Sequence, residues 1–349
     1  MNKIVEKYFQ KNDFTQRVGS ILNQVLRETG FEIEKELFRG MIYDEDKLGS
    51  IIYKGKYQNK DAVLKLQGLM PETDEIDIIV NFDTQNTSKK VRLPKLYKFK
   101  HWNKKDRFGY LITEFINAPH IFEMPFANEK QINLFCDFYQ EYRKNCLNKT
   151  FTKAEETSTS NFVLRRVDMW EKIAKTKGIL EKRISNEKLQ VIINQFKEVM
   201  EEELKNVRMV FCHGHLTASD IFYDGEQFIL LSNLYWSFRP EYYDLVFGLH
   251  WDLENINISN FSYNEFKNYI EKWLSYFYKI PVVKKDPDAK RKIRLMLLER
   301  TMGGILLDTG SQPLNNEAKN NLFELRLIFF EELVNNIRKR GKKGHLLFP

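Results

Sequence analysis

Apolar residues repeat with a helical period at the start of this chain and with a strand period soon after. Phe9, Phe14, Val18, Ile21, Leu22 and Val25 predict a helical segment over residues 1–30. From 31 to 67 the apolar runs shorten. FEIEKELFRG, SIIYKGKY and DAVLKLQ are alternating or β-branched and are separated by Gly, Asn and Asp, the pattern of successive antiparallel strands. PETDEIDIIVNFDTQN restarts a helix. Pro71 opens it, acids fill its first turn, and Ile76, Ile79 and Val80 make its apolar face. VRLPKLYKFKHW and RFGYLITEFINA predict two further strands.

Beyond about residue 126 the helical period dominates. Candidate helices cover about 127–145, 160–176, 187–205, 243–256, 262–278, 289–307 and 315–339, and the polar stretch TFTKAEETSTS (150–160) is a loop. The pattern predicts an α+β chain in two lobes. A helical segment at 1–30 precedes a small antiparallel β-rich N-lobe at 31–118. A larger, mainly α-helical C-lobe spans 119–340 and carries a hairpin element at 207–236. A basic and apolar tail closes the chain at 341–349.

Composition narrows the class without naming a function. At 349 residues the chain is long enough for two lobes around a sizeable core. A hydrophobic fraction of 42% and an aromatic fraction of 14% exclude a disordered chain. No apolar run reaches the roughly 18 residues that cross a bilayer, and the first 30 residues lack the apolar segment of a signal peptide. The expectation is a cytoplasmic protein with no membrane contact. Cys136, Cys146 and Cys212 form no CxxC pair and suit a reducing compartment. The histidines do not join them at zinc spacing. The net charge of +7 is spread over interspersed Lys and Glu, except for Arg338, Lys339, Arg340, Lys342 and Lys343. That cluster is read as a solvated helix end, and nucleic acid is not an expected partner.

The chemistry concentrates in FCHGHLTASDIFYDGEQFILLSNLYW, residues 211–236. An apolar segment runs into a polar loop that contains Gly214. Asp224-Gly225 between two apolar runs predicts a two-residue hairpin turn, because Gly accepts positive φ. Pairing back from that turn places Ser232 opposite the region of Thr217 and brings the 213–220 loop near 232–234. Phosphoryl transfer needs such closeness: a group facing the nucleophile, and oxygens holding magnesium on nucleotide phosphates.

The spacing of His213-Gly214, Leu216, Ile221-Phe222, Leu230-Leu231 and Tyr243-Asp244-Leu245 resembles the aminoglycoside phosphotransferase/choline kinase family of the protein-kinase-like fold. The resemblance covers about residues 31–310 and is most specific over 211–248. It implies a nucleotide-dependent phosphotransferase frame, with ATP and magnesium as cofactors. It also implies roles that the letters here do not match. His215 stands at the family's base Asp, Asp220 at the metal-binding Asn and Ser232 at the metal-binding Asp. Upstream, the resemblance places Gly49 in the phosphate-loop hairpin and Lys65 as the phosphate-binding lysine. Glu75, or alternatively Glu72, becomes the lysine's ion-pair partner. Glu114 and Phe115 fall in the hinge that contacts adenine.

Each of these residues also has a plain structural reading. Lys65 can be a lysine that keeps a strand edge soluble. His213 buttresses its loop. Asp244 caps the helix it begins, and Tyr242, Tyr243, Phe247 and Trp251 belong to the core. His215 cannot serve as an anionic acceptor, and losing a positioned acid/base group costs roughly 10²–10⁴ in rate. With Ser232 in place of an acid, magnesium binding weakens; Asn233 or Asp224 compensates only after a change of register or loop. The leading expectation is a pseudokinase that binds nucleotide and an unknown small molecule or protein partner. The alternative is an active small-molecule phosphotransferase with a rearranged site using His215 and Asp220. For a cationic acceptor, Glu155, Glu156, Asp168 and Glu171 are the candidate cleft acids, and Asp252 is a further candidate cleft residue.

Overall fold

The computed structural model describes residues 13–42, 44–71, 73–122, 127–152, 158–180, 183–254, 260–311 and 315–341. Phe9, Glu72, Glu155, Glu156, Lys342 and Lys343 lie outside the described residues. Helix α1 (Phe14–Thr29) is followed by strands β1 (Glu32–Ile42), β2 (Asp44–Tyr57) and β3 (Lys60–Gln67), helix α2 (Glu75–Gln85), and strands β4 (Val91–Arg92), β5 (Leu96–Lys100) and β6 (Gly109–Glu114). Helices α3 (Glu129–Cys146), α4 (Thr159–Thr176) and α5 (Asn186–Glu203) lead to β7 (Met209–Cys212). Strands β8 (Ile221–Tyr223), β9 (Phe228–Leu230) and β10 (Ser237–Pro240) come next, then helices α6 (Tyr243–Glu254), α7 (Tyr263–Phe277), α8 (Ala289–Gly303) and α9 (Asn316–Gly341).

The chain gathers into two compact units. The first comprises Met1–Pro119, Thr150–Ala154 and Ile221–Trp236, and the second His120–Lys149, Glu155–Asp220 and Ser237–Pro349. The hairpin β8–β9 joins the first unit because β4 pairs in parallel with β9, Val91 opposite Phe228.

In the first unit an antiparallel five-stranded sheet runs in the order β1-β2-β3-β6-β5. The helical spacing of α1 buries Phe14, Ile21 and Val25 in one cluster with Phe31, Ile51, Tyr53, Leu64, Leu66, Tyr110 and Ile112. Gly30 ends that helix in a left-handed conformation, returning its amide to the Leu26 carbonyl. Helix α2 starts later than its proline suggests. Asp74, not Pro71, sets its start, because the Asp74 carboxylate accepts from the Ile76 amide.

The hairpin also corrects the sequence arithmetic. Ile221 pairs with Leu230, Phe222 with Ile229 and Tyr223 with Phe228, so the loop has four residues, Asp224 to Gln227. The Asp224 Oδ1 accepts from the amides of Glu226 and Gln227, at 2.9 and 2.7 Å, and this side-chain turn replaces the two-residue one. The four-residue loop shifts the expected pairing by two positions.

The second unit is helical. Capping boxes start α3 (Asn128 with Gln131) and α7 (Ser262 with Glu265), and Ser158 and Ser185 cap α4 and α5. Phe135, Phe138, Trp273 and Phe277 knit α3 to α7. The α-helical geometry of α8 stops at Gly303 and widens into a π turn, Gly304–Asp308. The ribbon of β7 and β10 pairs Cys212 with Ser237 and Met209 with Pro240. All three cysteines are buried and unbridged. No helix among the described residues is long and apolar enough to cross a membrane.

Candidate functional site

In the first unit, Lys65 sits on the central strand β3, between Ile52 of β2 and Leu111 of β6. It is therefore not an edge-strand lysine. Its Nζ lies 2.5 Å from Glu75 Oε2, and both side chains are largely buried. Gln67 Nε2 reaches the same oxygen at 3.4 Å. The first turn of α2 thus delivers Glu75 to the lysine.

Gly49 belongs to the antiparallel hairpin of β1 and β2. It lies inside β2, at the bulge where the register slips between Gly40–Ser50 and Met41–Leu48. Its carbonyl accepts from the Gly68 amide. Glu114 is held by Arg92 at 2.7 and 3.1 Å, and its amide donates to the Lys95 carbonyl. The Phe115 amide donates to the Asp61 carbonyl, and the Phe115 ring carries Lys54 over its face at 4.7 Å. The amides of Glu114 and Phe115 thus both donate to chain carbonyls.

Ser232 takes a left-handed conformation, φ 58 and ψ 40, costly for a non-glycine residue. The following residue explains the constraint. Asn233 is buried, donates to the Leu230 carbonyl at 3.1 Å and accepts from Trp236 Nε1 at 2.9 Å. Trp236 is itself fully buried against Phe82 and Phe151. The Asn233 side chain is thus engaged within this segment and Asp224 Oδ1 within its turn.

In the second unit, residues 213–220 form a loop held from below. Gly214 turns the chain with φ +77, and its amide donates to Asp244 Oδ1 at 2.8 Å. Tyr142 donates to Asp244 Oδ2 at 2.6 Å and accepts from the His213 amide at 2.7 Å. Asp244 is thus the anchor of this loop rather than a cap for α6. His213 is buried, and its Nδ1 accepts from the His215 amide at 3.3 Å. Burial and Asp244 together push the Cys212 thiol well above its ordinary range, so it stays protonated.

Asp220, buried at 3% exposure, is the centre of the loop. Its Oδ2 receives His215 Nδ1 at 3.0 Å, the Thr217 amide at 3.0 Å and the Thr217 hydroxyl at 2.7 Å. The His215 ring lies 5.2 Å from Phe247 and 6.2 Å from Trp251, centroid to centroid. A carboxylate that accepts three hydrogen bonds through one oxygen is a poor seat for a hard cation on that oxygen. A carboxylate behind one imidazole nitrogen sets the tautomer of the ring. Sequence reasoning missed His120. Desolvation lowers its pKa, and the charge of Asp220 opposes that, which places His120 within electrostatic reach of the loop.

The other candidates have structural partners. Asp168 pairs with Lys197 and Glu171 with Lys175, as surface helix residues do. Asp252 is buried, accepts from Tyr269 and Trp273, and is pushed up to about 6 mainly by burial. Tyr242, Tyr243 and Phe247 are core, and Trp251 is half-buried beside them.

The fold can now be compared with solved proteins. An amicoumacin kinase aligns with a TM-score of 0.59 and 14% identity, covering 96% of this chain and 96% of its own. A Plasmodium vivax ethanolamine kinase gives 0.55 and 15%, covering 92% and 88%. The aminoglycoside phosphotransferase APH(4)-Ia gives 0.57 and 9%, covering 93% and 99%. This is the aminoglycoside phosphotransferase/choline kinase-like form of the protein-kinase fold. At these identities the likeness is one of fold. No family model and no curated protein matches the sequence.

Proposed function

We propose that this chain is a nucleotide-binding protein of the kinase-like fold that lacks the fold's usual two-carboxylate, magnesium-dependent route of phosphoryl transfer, a pseudokinase with respect to that route. The observation that carries the nucleotide half is the Lys65–Glu75 ion pair, 2.5 Å long on a central strand. A lysine held rigidly by a carboxylate, with its stem buried, presents a fixed positive charge to phosphate oxygens. Solved neighbours supply the ligand class. The amicoumacin kinase is a complex with AMP-PNP, and a mutant of APH(4)-Ia is a ternary complex with ADP and hygromycin B. ATP is the nucleotide of this reading, and a small molecule or a protein is its further partner.

The missing route rests on three residues. His215 supplies no carboxylate, Ser232 supplies none, and Asp220 already serves Thr217 and His215. Binding should therefore depend little on magnesium from protein ligands. A thermal-shift titration with ATP, with and without magnesium, tests the reading. It predicts stabilisation in both conditions and its loss in Lys65→Ala. Absence of any ATP-dependent shift in the wild type refutes nucleotide binding. A shift that appears only with magnesium refutes the weakened metal site.

A further inference from the structure

We propose that Asp74, Asp77 and His101 form a binding site for a divalent metal ion of the zinc class, which ties the start of α2 to the end of β5. All three residues belong to the first unit. The site uses neither Lys65 nor any residue of the 213–220 loop, and it does not rest on the nucleotide reading above.

The donor set carries the assignment. One carboxylate oxygen from each aspartate and one ring nitrogen of His101 lie within 4.8 Å of one another. They come from two elements. Asp74 caps α2, Asp77 lies on its first turn, and His101 follows the last residue of β5. Helical spacing brings the two aspartates together, since positions three apart share a face. Only the fold brings the imidazole to them. A nitrogen with two carboxylate oxygens suits zinc and similar ions, whereas magnesium and calcium take oxygen ligands.

The neighbouring contacts leave these donors for a cation. Glu75, between the two aspartates in sequence, is matched by Lys65. Asp74 Oδ1 accepts from the Ile76 amide at 2.9 Å and so satisfies the helix end. Asp74 Oδ2 faces His101 Nδ1 at 2.7 Å. The Asp77 carboxylate has no hydrogen bond or ion pair among the described residues. The cap thus uses one oxygen, and His101 faces the rest of the acidic pair. The imidazole is placed by its surroundings. Its ring meets Phe99 edge to face, 5.3 Å between centroids, and the adjacent Trp102 donates Nε1 to the Gly68 carbonyl at 3.4 Å. A donor placed in advance loses less freedom on binding.

The ion takes the place of the proton shared by His101 Nδ1 and Asp74 Oδ2, and that proton goes to solvent. Ligand atoms on one tetrahedral zinc lie roughly 3.4 Å apart. The 2.7 Å contact therefore opens and the Asp77 carboxylate closes, by rotation of side chains that are exposed or half-buried. Water supplies the fourth ligand. Because Glu75 follows Asp74 directly, an ion here also steadies the residue that holds Lys65.

Calorimetric titration of the chelator-treated full chain with Zn²⁺ tests the site, with nitrogen-15 NMR of the histidine rings as a second readout. The wild type should bind a stoichiometric equivalent, with the His101 ring nitrogens shifting as it binds. His101→Ala, Asp77→Asn and Asp74→Asn should each weaken binding by roughly tenfold or more. Asparagine caps a helix as well as aspartate does, so a loss in Asp74→Asn is not a loss of α2. Asp83→Asn, exposed on the same helix, should leave the affinity unchanged. Amide exchange in the first turns of α2 should slow with Zn²⁺. No binding by the wild type overturns the proposal. Binding with unmoved His101 signals overturns it as well, since the ion then sits elsewhere. Equal weakening by Asp83→Asn and Asp77→Asn would mean general attraction to an acidic helix, and it too overturns the site. Binding with unchanged α2 exchange overturns the tie between the two elements.

Discussion

Asp244 shows how much of the loop depends on one carboxylate. Its two oxygens take the Gly214 amide and the Tyr142 hydroxyl, and Tyr142 in turn takes the His213 amide. Asp244→Ala removes both acceptors and leaves a buried amide and a buried phenol without them. Hydrogen bonds to charged groups are worth roughly 1.5–3 kcal/mol each, and orphaned partners add to the loss. We expect Asp244→Ala to lower the unfolding free energy by more than about 3 kcal/mol, read by urea denaturation. Asp244→Asn, which keeps one acceptor, should cost less than half as much. Equal effects of the two substitutions would count against this anchoring. The position of Asp244 before an apolar helix was legible in the chain as a cap. Its true partners were not, because Tyr142 lies 102 positions away and local spacing carries no trace of it. The same limit applies to Asp220. The family resemblance implied an oxygen ligand there, but only the folded loop turns His215 back onto it.

At the scale of elements, periodicity was a good guide wherever burial decides conformation. The expected helices at 160–176 and 187–205 correspond to α4 and α5, because their apolar stripes and serine caps are local signals. Periodicity failed where one side chain reorganises a turn, as Asp224 does in the β8–β9 loop and Asp74 at α2. Gly55 is a case in which a sequence feature, the glycine of YKGKY, has a physical cause visible only in the sheet. A Cβ built there would lie 1.9 Å from the Glu32 carbonyl oxygen and 2.7 Å from the Phe31 ring. Neither can yield easily, since Glu32 pairs with the adjacent Lys56 and Phe31 belongs to the core. Gly55→Ala should therefore destabilise the first unit by at least the roughly 1–3 kcal/mol of an overpacked core site. Hydrogen exchange should report faster opening of β1 and β2 amides, whereas Gly225→Ala, at a turn with open space around the Cβ, should act only through its φ of +102.

Charge buried deep in the helical unit sets how the whole molecule responds to pH. His250 and Glu254 on α6, Glu299 and Arg300 on α8, Asp308 in the π turn and Arg326 on α9 form one connected set. Thr309 adds a weak contact to Glu254. The Glu254 Oε2 and Arg326 Nε atoms have no hydrogen-bond partner among the described residues. Burial pushes Glu254 up to about 7, only partly offset by Arg326. His250 is pushed down to about 4, again mainly by burial. The two act in opposite directions. A folded state that holds the Glu254 proton more tightly than the unfolded chain is favoured below the ordinary carboxylate range. That advantage is lost as pH rises towards 7. A folded state that resists protonating His250 is favoured above the ordinary imidazole range, and it loses that advantage as pH falls towards 4. Between about pH 4.5 and 6.5 the two slopes oppose each other and flatten the stability curve. Glu254→Gln removes one slope and leaves the other. Whatever its absolute stability, which also reflects the Arg326 charge left with a neutral partner, the variant should gain stability relative to wild type on going from about pH 5 to pH 8. Urea titrations of both proteins at the two pH values test this. A difference between them that does not change with pH would mean that Glu254 is ionised in the folded protein throughout, with Arg326 outweighing the cost of its burial.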